Sequence, residues 1–381
     1  MAFVVGPRQV GKTTTCRGCA DHYCNWDNLD DRGLILSGPS KVVERFGLSR
    51  LKAELPTLLF DELHKFHGWK KFLKGFFDTY ADQTHVIVTG SSRMDAYRRG
   101  GDSLMGRYFP YRMHPLSVAE LLAQDVPDAK QLLRSPKRLK AAEFDALWTH
   151  GGYPGPFLKR DARFSRRWQS LRFEQLVRED IRDLTRIQQL DQVASLVSIL
   201  ASRSAQQLIF GNLANELRVS TDTIMRWVEV LRSLHLGFLV RPWFKNVSRS
   251  LRKEPKWFLR DWSSIDDAGA RAETFVGCQL LKAVEAWTDL GLGKFDLGYL
   301  RDKEQHEVDF LVTRDGKPWF LVEVKQSEGP ISPSLEYFQA QLKAPFAFQV
   351  VIDAEFVSAD CFAKPRGPMA VPAKTFLSQL V

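Results

Sequence analysis

The chain has 381 residues and a formal net charge of +9 at pH 7, with 44% apolar and 26% charged residues. That length suffices for two to four domains with sizeable cores, and the composition excludes a disordered or fibrous polypeptide. No apolar run nears the ~20 residues of a membrane span, the N-terminal apolar stretch is too short for a secretory leader, and the cysteines lack framework spacing, which fits a reducing, cytoplasmic compartment. The positive excess points to an acidic partner, nucleic acid first, and to no membrane.

The first five residues predict a strand that runs into Gly6, Pro7, Arg8, Gln9, Val10, Gly11, Lys12, Thr13 and Thr14. Gly-x4-Gly-Lys-Thr between a strand and a helix is a phosphate loop. Glycines 6 and 11 let backbone N–H groups turn inward around phosphate oxygens. Lys12 reaches the β- and γ-phosphates, the Thr13 hydroxyl ligates Mg²⁺, and a helix over 13–22 points its positive end at the anion. ATP with Mg²⁺ is the expected ligand. Cys16, Cys19, His22 and Cys24 have zinc-like spacing, but each three-residue step on a helix turns about 300°, so they disperse around it and read as ordinary thiols.

Leu58-Leu59-Phe60 followed by Asp61-Glu62 predicts a buried strand ending in a Walker B pair. Asp61 holds Mg²⁺ and Glu62 orients or deprotonates the attacking water. Both motifs then lie at the C-terminal edge of one parallel sheet. His85 to Gly90 predicts a third buried strand that leads into Ser91 and Ser92. Ser91 is a candidate sensor of the γ-phosphate, a serine-capped turn being the alternative. Arg107, after Gly106 in a loop, is a candidate arginine finger, in cis or toward a neighbouring subunit of a homo-oligomer; an ordinary surface arginine is the alternative. Ser117-x-x-Glu120 is a capping box.

The segments G-P-R-Q-V-G-K-T, L-L-F-D-E-L-H-K-F, V-T-G-S-S and G-R…P-L-S-x-x-E-L occur in this order. Together they resemble the AAA-type ATPases of bacteria and archaea that carry a C-terminal domain of uncharacterised function. The resemblance implies an α/β fold with an AAA+ P-loop NTPase core and parallel sheet over residues 1–125, and a winged-helix plus nuclease-like C-terminal half. In such ATPases a few dozen residues before the phosphate loop help to enclose adenine. Here the loop begins at residue 6, so adenine selection is expected to be weak.

Residues 126–189 read as a helical lid or linker, broken at Pro127, Pro136 and the turn from Gly151 to Pro156. The mixed charges over 159–186 suit a solvated helix face. Residues 190–262 carry a tri-helical pattern followed by two strands, Phe238–Val240 and Trp257–Leu259, as in a winged helix-turn-helix. Thr223, Arg226, Glu229 and Arg232 are the exposed positions of its third helix. The wing holds Arg241, Lys245, Arg249, Arg252, Lys253 and Lys256 against one acid, Glu254. Arg249, Arg252 and Lys253 are the candidates for contacting duplex DNA phosphates. Docking against another part of the protein is the alternative.

Residues 263–381 bring a second chemical signal. Glu307-Val308-Asp309 alternates as a strand, Asp315-Gly316 is a hairpin turn, and Glu323-Val324-Lys325 lies on the return strand. Asp309 and Glu323 can bind Mg²⁺ while Lys325 positions and polarises a water. Glu273, on an amphipathic helix, is placed to be a third acid. The set resembles the PD-(D/E)xK nuclease superfamily, which implies an α/β nuclease-like domain with Glu273, Asp309, Glu323 and Lys325 as its catalytic quartet. Surface ion pairing is the alternative. Two functions follow: an ATP-hydrolysing protein that acts on nucleic acid, or a switch ATPase whose nuclease-like domain is a silent partner-binding module.

Overall fold

A computed structural model describes residues 1–50, 53–90, 104–123, 126–176, 181, 189–244, 254–365 and 367–381. The chain divides into two compact units, Met1–His114 and Pro115–Val381.

The first unit is built on five strands, β1 (Ala2–Val5), β2 (His22–Asn25), β3 (Thr57–Asp61), β4 (His85–Gly90) and β5 (Phe109–Arg112), in the spatial order β2-β3-β4-β1-β5. Every pairing is parallel. A parallel strand covered on both faces reads as an unbroken apolar run, and Leu58, Leu59 and Phe60 are fully buried accordingly. The helices are α1 (Lys12–Gly18), α2 (Leu29–Leu36), α3 (Pro39–Phe46) and α4 (Trp69–Tyr80). Trp69, Phe72, Leu73 and Phe76 form the inward stripe of α4, and Phe60 meets Phe72 and Phe76 edge-on at 5.5 and 5.6 Å.

The helix after the phosphate loop stops at Gly18 rather than reaching residue 22, and His22 and Cys24 belong to β2. The Asp21 N–H donates to the Thr57 carbonyl at 2.9 Å, which starts the β2–β3 ladder. Sheet pairing wins over local helical pattern at this point. It leaves Cys24 buried and Cys19 exposed.

The second unit opens with α5 (Val118–Leu121), whose capping box forms in full between Ser117 and Glu120. Then come α6 (Ala141–His150), α7 (Pro154–Lys159), α8 (Ala162–Gln175), α9 (Leu190–Ser202), β6 (Gln206–Gln207), α10 (Phe210–Leu217) and α11 (Thr221–Ser233). Gly152 turns the chain between α6 and α7 in close quarters: a Cβ there would meet the Leu116 carbonyl at 2.7 Å and the Trp262 ring at 2.8 Å. α9, α10 and α11 close on a core that includes Leu196, Leu213, Trp227 and Leu231, all within 1% of full burial.

β7 (Gly237–Pro242) and β8 (Lys256–Leu259) follow α11 as an antiparallel pair. They lead to the 22-residue α12 (Ala268–Asp289), β9 (Phe295–Arg301), β10 (Glu307–Arg314), β11 (Lys317–Lys325), α13 (Pro333–Leu342), β12 (Phe346–Val351), β13 (Met369–Pro372) and α14 (Ala373–Ser378). Asp315 and Gly316 both take positive φ, 51° and 76°, in the tight turn that fixes the β10–β11 register. All eight strands form one mixed sheet in the order β13-β12-β11-β10-β9-β7-β8-β6. The β7–β9 pairing, Arg241 with Gly298 and Pro242 with Tyr299, joins the hairpin after α11 to the C-terminal strands. Among the described residues no helix is long and apolar enough to cross a membrane.

Candidate functional site

Two constellations of reactive side chains emerge, one in each unit. In the first, β1 delivers the chain to the phosphate loop. The Met113 N–H donates to the Val5 carbonyl at 2.8 Å, which continues the β5 pairing beside the loop. Gly6 has to be glycine, because a Cβ there would fall on the Met113 carbonyl oxygen. Gln9 and Gly11 take left-handed φ of 61° and 99°, and these two positions wrap the loop back toward α1. Val10 anchors it by burying its side chain.

The buried Lys12 ammonium donates to the Gly6 and Pro7 carbonyls at 2.9 and 2.7 Å. Burial lowers its pKa to about 8, although Glu62 and Asp61 pull the other way. A cavity of about 340 Å³ is lined by Arg8, Gln9, Gly11, Lys12, Thr13 and Thr14 from the loop and by Glu62 and Lys65.

Asp61 is the hub of this site. It is buried at the end of β3 and accepts from three hydroxyls: Thr13 at 3.1 Å, Tyr23 at 2.9 Å, and Thr89. Four elements, α1, β2, β3 and β4, are thereby tied to one carboxylate. Glu62 follows with φ 55°, a left-handed turn that takes it out of the strand and into the cavity lining. Its Oε2 lies 3.3 Å from Lys65 Nζ and 3.8 Å from His64 Nε2. A hydroxyl and a carboxylate oxygen 3.1 Å apart are a donor set that suits a small hard cation, so Thr13 and Asp61 fit Mg²⁺.

Sequence reasoning missed Tyr23, because the strand carrying it was hidden by the helical reading of residues 13–22. Thr89 was visible in V-T-G-S-S but had no role assigned. Burial, with Asp61 as acceptor, pushes the Tyr23 hydroxyl up to about 12, so it acts as a donor at neutral pH.

Arg107 is not brought to this cavity. It precedes β5 at the opposite end of the sheet, where the Phe109 N–H donates to the Met1 carbonyl at 3.0 Å. The four residues of β1 put roughly 13 Å of strand between that edge and the loop. Its guanidinium forks Asp78 at 2.7 and 3.2 Å. In this structure the guanidinium is paired with Asp78, away from the chain's own phosphate loop. Ser91 lies outside the described residues.

In the second unit the sheet and α12 gather Glu273, Asp309, Glu323 and Lys325. Lys325 Nζ is 2.9 Å from Glu323 Oε1, as period-2 alternation on β11 requires. Asp309 steps out of the regular ladder, and its Oδ2 accepts the Val324 N–H at 2.9 Å. Glu273 arrives from α12.

The unexpected member is Lys256 of β8. Its ammonium lies 2.6 Å from Glu307 Oε1, 2.9 Å from Glu273 Oε1 and 3.5 Å from Asp309 Oδ1. Its side chain is only 4% exposed. Lys256 therefore leaves the set of basic wing residues and becomes the central cation of a carboxylate cluster. Glu307 joins as a further acid, paired also to Arg301 at 3.0 Å. Lys256 was not legible as a site residue, because β8 joins the C-terminal sheet through the β7–β9 pairing.

Burial raises the Glu273 carboxyl to about 8 and the Glu323 carboxyl to about 7, with Asp309 the next largest cause in each case. Burial alone would lower Lys256, but Glu273, Asp309 and Glu307 outweigh it and hold the ammonium charged. Glu323 Oε2 is buried without a hydrogen-bond partner. The metal expected on Asp309 and Glu323 does not fit beside the Lys256 ammonium, which already stands 3.5 Å from Asp309 Oδ1. Among the described residues, Asp302, Glu304 and His306 form another group of donors, with ligand atoms within 4.8 Å of one another. Asp302 and His306 are already engaged in the β9–β10 turn, side chain to ring at 2.8 Å.

On α11, Arg226 and Arg232 are exposed as expected, while Thr223 and Glu229 are half-buried. Arg232 is bound to Glu229 at 2.6 Å, and Thr223 shares the helix cap with Ser220 at 2.9 Å. Arg249, Arg252 and Lys253 lie outside the described residues.

Comparison with known proteins divides the chain in a compatible way. Residues 1–122 match the family model described as an AAA domain. The chain carries an AAA domain at its N-terminus. That domain contains the whole phosphate loop, Asp61, Glu62 and Arg107. Residues 141–265 match a domain of unknown function, DUF8612, and residues 268–358 a second, DUF4143. Lys256 falls in the former, and the acids it binds in the latter. An uncharacterized protein of Mycobacterium tuberculosis is 24% identical over 355 residues, covering 87% of this chain and 71% of that protein. An uncharacterized protein of Methanocaldococcus jannaschii is 21% identical over 355 residues, covering 89% and 78%. Among solved structures, the Aeropyrum pernix Orc1 protein in complex with DNA aligns over 72% of this chain and 86% of that one, at 12% identity and a TM-score of 0.33. At that score the likeness carries no weight for function.

Proposed function

We propose that the AAA domain binds Mg·ATP between Gly6 and Thr14 and hydrolyses it, and that the second unit engages nucleic acid. The observation that carries the first part is the hydrogen bond from Thr13 to Asp61, with Lys12 and Glu62 lining the same cavity. Phosphate binding needs the loop amides and Lys12. Cation binding needs Thr13 and Asp61. Turnover needs a base or water-orienting group, and Glu62 is the carboxylate at hand.

The nucleic-acid part rests on the net charge of +9 and on the order α9, α10, α11, β7, β8, which we read as a winged helix whose wing carries Arg249, Arg252 and Lys253. Duplex DNA is the favoured partner. We read residues 263–381 as an α/β PD-(D/E)xK-like domain. Of the two roles open to such a domain, silent partner-holding is favoured by one observation: a lysine ammonium sits among the acids where hydrolysis would use a metal.

The test is phosphate release from ATP with and without duplex DNA, beside incubation with supercoiled plasmid in Mg²⁺ or Mn²⁺. ATP turnover with uncut plasmid is the expected result. No ATP turnover under any condition would sink the enzymatic reading, and plasmid cleavage lost in Asp309→Ala would sink the silent one.

A further inference from the structure

We propose that Lys256 is the resident cation of the C-terminal carboxylate cluster, and that the cluster takes no divalent metal while Lys256 is in it. The inference rests on the nuclease-like reading of this domain, since that likeness is what makes a metal expected.

The ammonium has three N–H groups, and three carboxylates stand around it: Glu307, Glu273 and Asp309 at 2.6, 2.9 and 3.5 Å. It cannot easily withdraw. The side chain is buried, its stem passes the Tyr299 ring with Nζ 5.5 Å from the centroid, and its backbone is held in register with Val240 on one side and Gln207 on the other.

A divalent ion on Asp309 Oδ1, at the ~2.1 Å typical of Mg²⁺, would lie within a few ångströms of Nζ. In a site removed from water the repulsion between the two cations is weakly screened. Lys325 and Arg301 add two further cations, paired to Glu323 and Glu307.

Removing Lys256 changes this. Asp309 Oδ1 and Glu273 Oε1 lose their ammonium. Buried carboxylates left without a counter-charge attract one, and a hard divalent cation matches their oxygens.

The experiment is Mn²⁺ binding to the full chain, read by electron paramagnetic resonance and calorimetry without nucleotide. An Asp61→Asn background removes the cation site of the AAA domain. With Lys256 present, no Mn²⁺ site tighter than about 1 mM should depend on Asp309. Lys256→Met should gain one Mn²⁺ at least about tenfold tighter, and adding Asp309→Asn should remove it again. Lys256→Arg, which keeps the charge, should stay metal-free.

Asp309-dependent Mn²⁺ binding in the Lys256 protein overturns the proposal, as does a folded Lys256→Met that gains no site. If Lys256→Met does not fold, the Lys256 protein with and without Asp309→Asn still decides. Plasmid cleavage read in parallel separates the two ideas. Asp309-dependent cutting sinks the silent reading, whereas Asp309-dependent Mn²⁺ binding without cutting sinks only the present inference.

Discussion

The Thr13 hydroxyl donates to Asp61 Oδ1 at 3.1 Å, joining two side chains 48 positions apart in sequence. That bond turns a loop motif and a strand-end motif into one site. It exists because β1 and β3 run parallel on either side of β4 and end at the same edge of the sheet. Brought together in this way, Lys12, Thr13, Asp61 and Glu62 have separable duties that substitution can test.

Lys12→Ala should abolish ATP binding measured by calorimetry, since it removes the buried ammonium of the loop. Glu62→Gln should keep the affinity and slow hydrolysis by about 10²-fold or more, the usual worth of a positioned general base. Equal ATP affinity in wild type and Lys12→Ala would refute the assignment of the loop.

ATP binding should take up protons at alkaline pH. Burial sets the Lys12 pKa near 8, below the ordinary lysine value of 10.5. Phosphate oxygens beside the amine favour its charged form and raise that value. Above pH 8 part of the unliganded protein therefore carries neutral Lys12 and must gain a proton on binding. Calorimetry at pH 8.5 in buffers of different ionisation enthalpy should reveal the uptake, and Lys12→Ala should lack it. A buffer-independent enthalpy in wild type would contradict the shift.

Tyr23→Phe removes one of three donors to the buried Asp61 carboxylate while keeping the ring. A hydrogen bond to a charged group is worth roughly 1.5–3 kcal/mol, so the first unit should lose about that much in a urea titration. Mg²⁺ in excess should restore part of the loss if Asp61 and Thr13 bind it. A variant as stable as wild type would mean that water replaces the phenol at no cost.

Changing Arg249, Arg252 and Lys253 together to Ala should weaken duplex DNA binding regardless of sequence. The slope of log affinity against log salt should fall by about two to three, close to 0.9 for each phosphate no longer neutralised. A wild-type slope in the triple variant would assign the wing to a protein interface.

The second unit should lose stability as pH rises from about 5 toward 8. The Glu273 and Glu323 carboxyls are raised to about 8 and about 7 from an ordinary 4.5, so the folded state holds protons there that the unfolded chain has released. Their contribution is complete below about pH 4.5 and disappears as pH climbs through the folded values. Scanning calorimetry should show the slope flattening in Glu273→Gln with Glu323→Gln. An unchanged slope would place the linkage in other groups.

Local chemistry made much of this protein legible in its sequence. Gly-x4-Gly-Lys-Thr encodes its own turn, because glycine at 11 readily takes the left-handed φ of 99° that the loop needs, and the apolar run before Asp61 encodes a strand buried on both faces. The Ser117–Glu120 cap, the Asp315-Gly316 turn and the Glu323–Lys325 pair are likewise interactions over a few residues, governed by backbone periods of 3.6 and 2. What the sequence could not carry was anything decided by strand order. Residues 13–22 read as one helix in isolation, but the helix stops at Gly18 and pairing with β3 makes His22–Asn25 a strand, which puts Tyr23 on Asp61. Arg107 reads as a free loop arginine until β5 pairs with β1 and leaves it at the far edge of the sheet, forked on Asp78. Lys256 is one more cation in a basic stretch until β7 pairs with β9. That single long-range pairing folds β8 into the C-terminal sheet and delivers its ammonium to carboxylates 17, 51 and 53 positions away. Side-chain periodicity fixes which face a residue takes on its own element, and only tertiary pairing decides what that face meets.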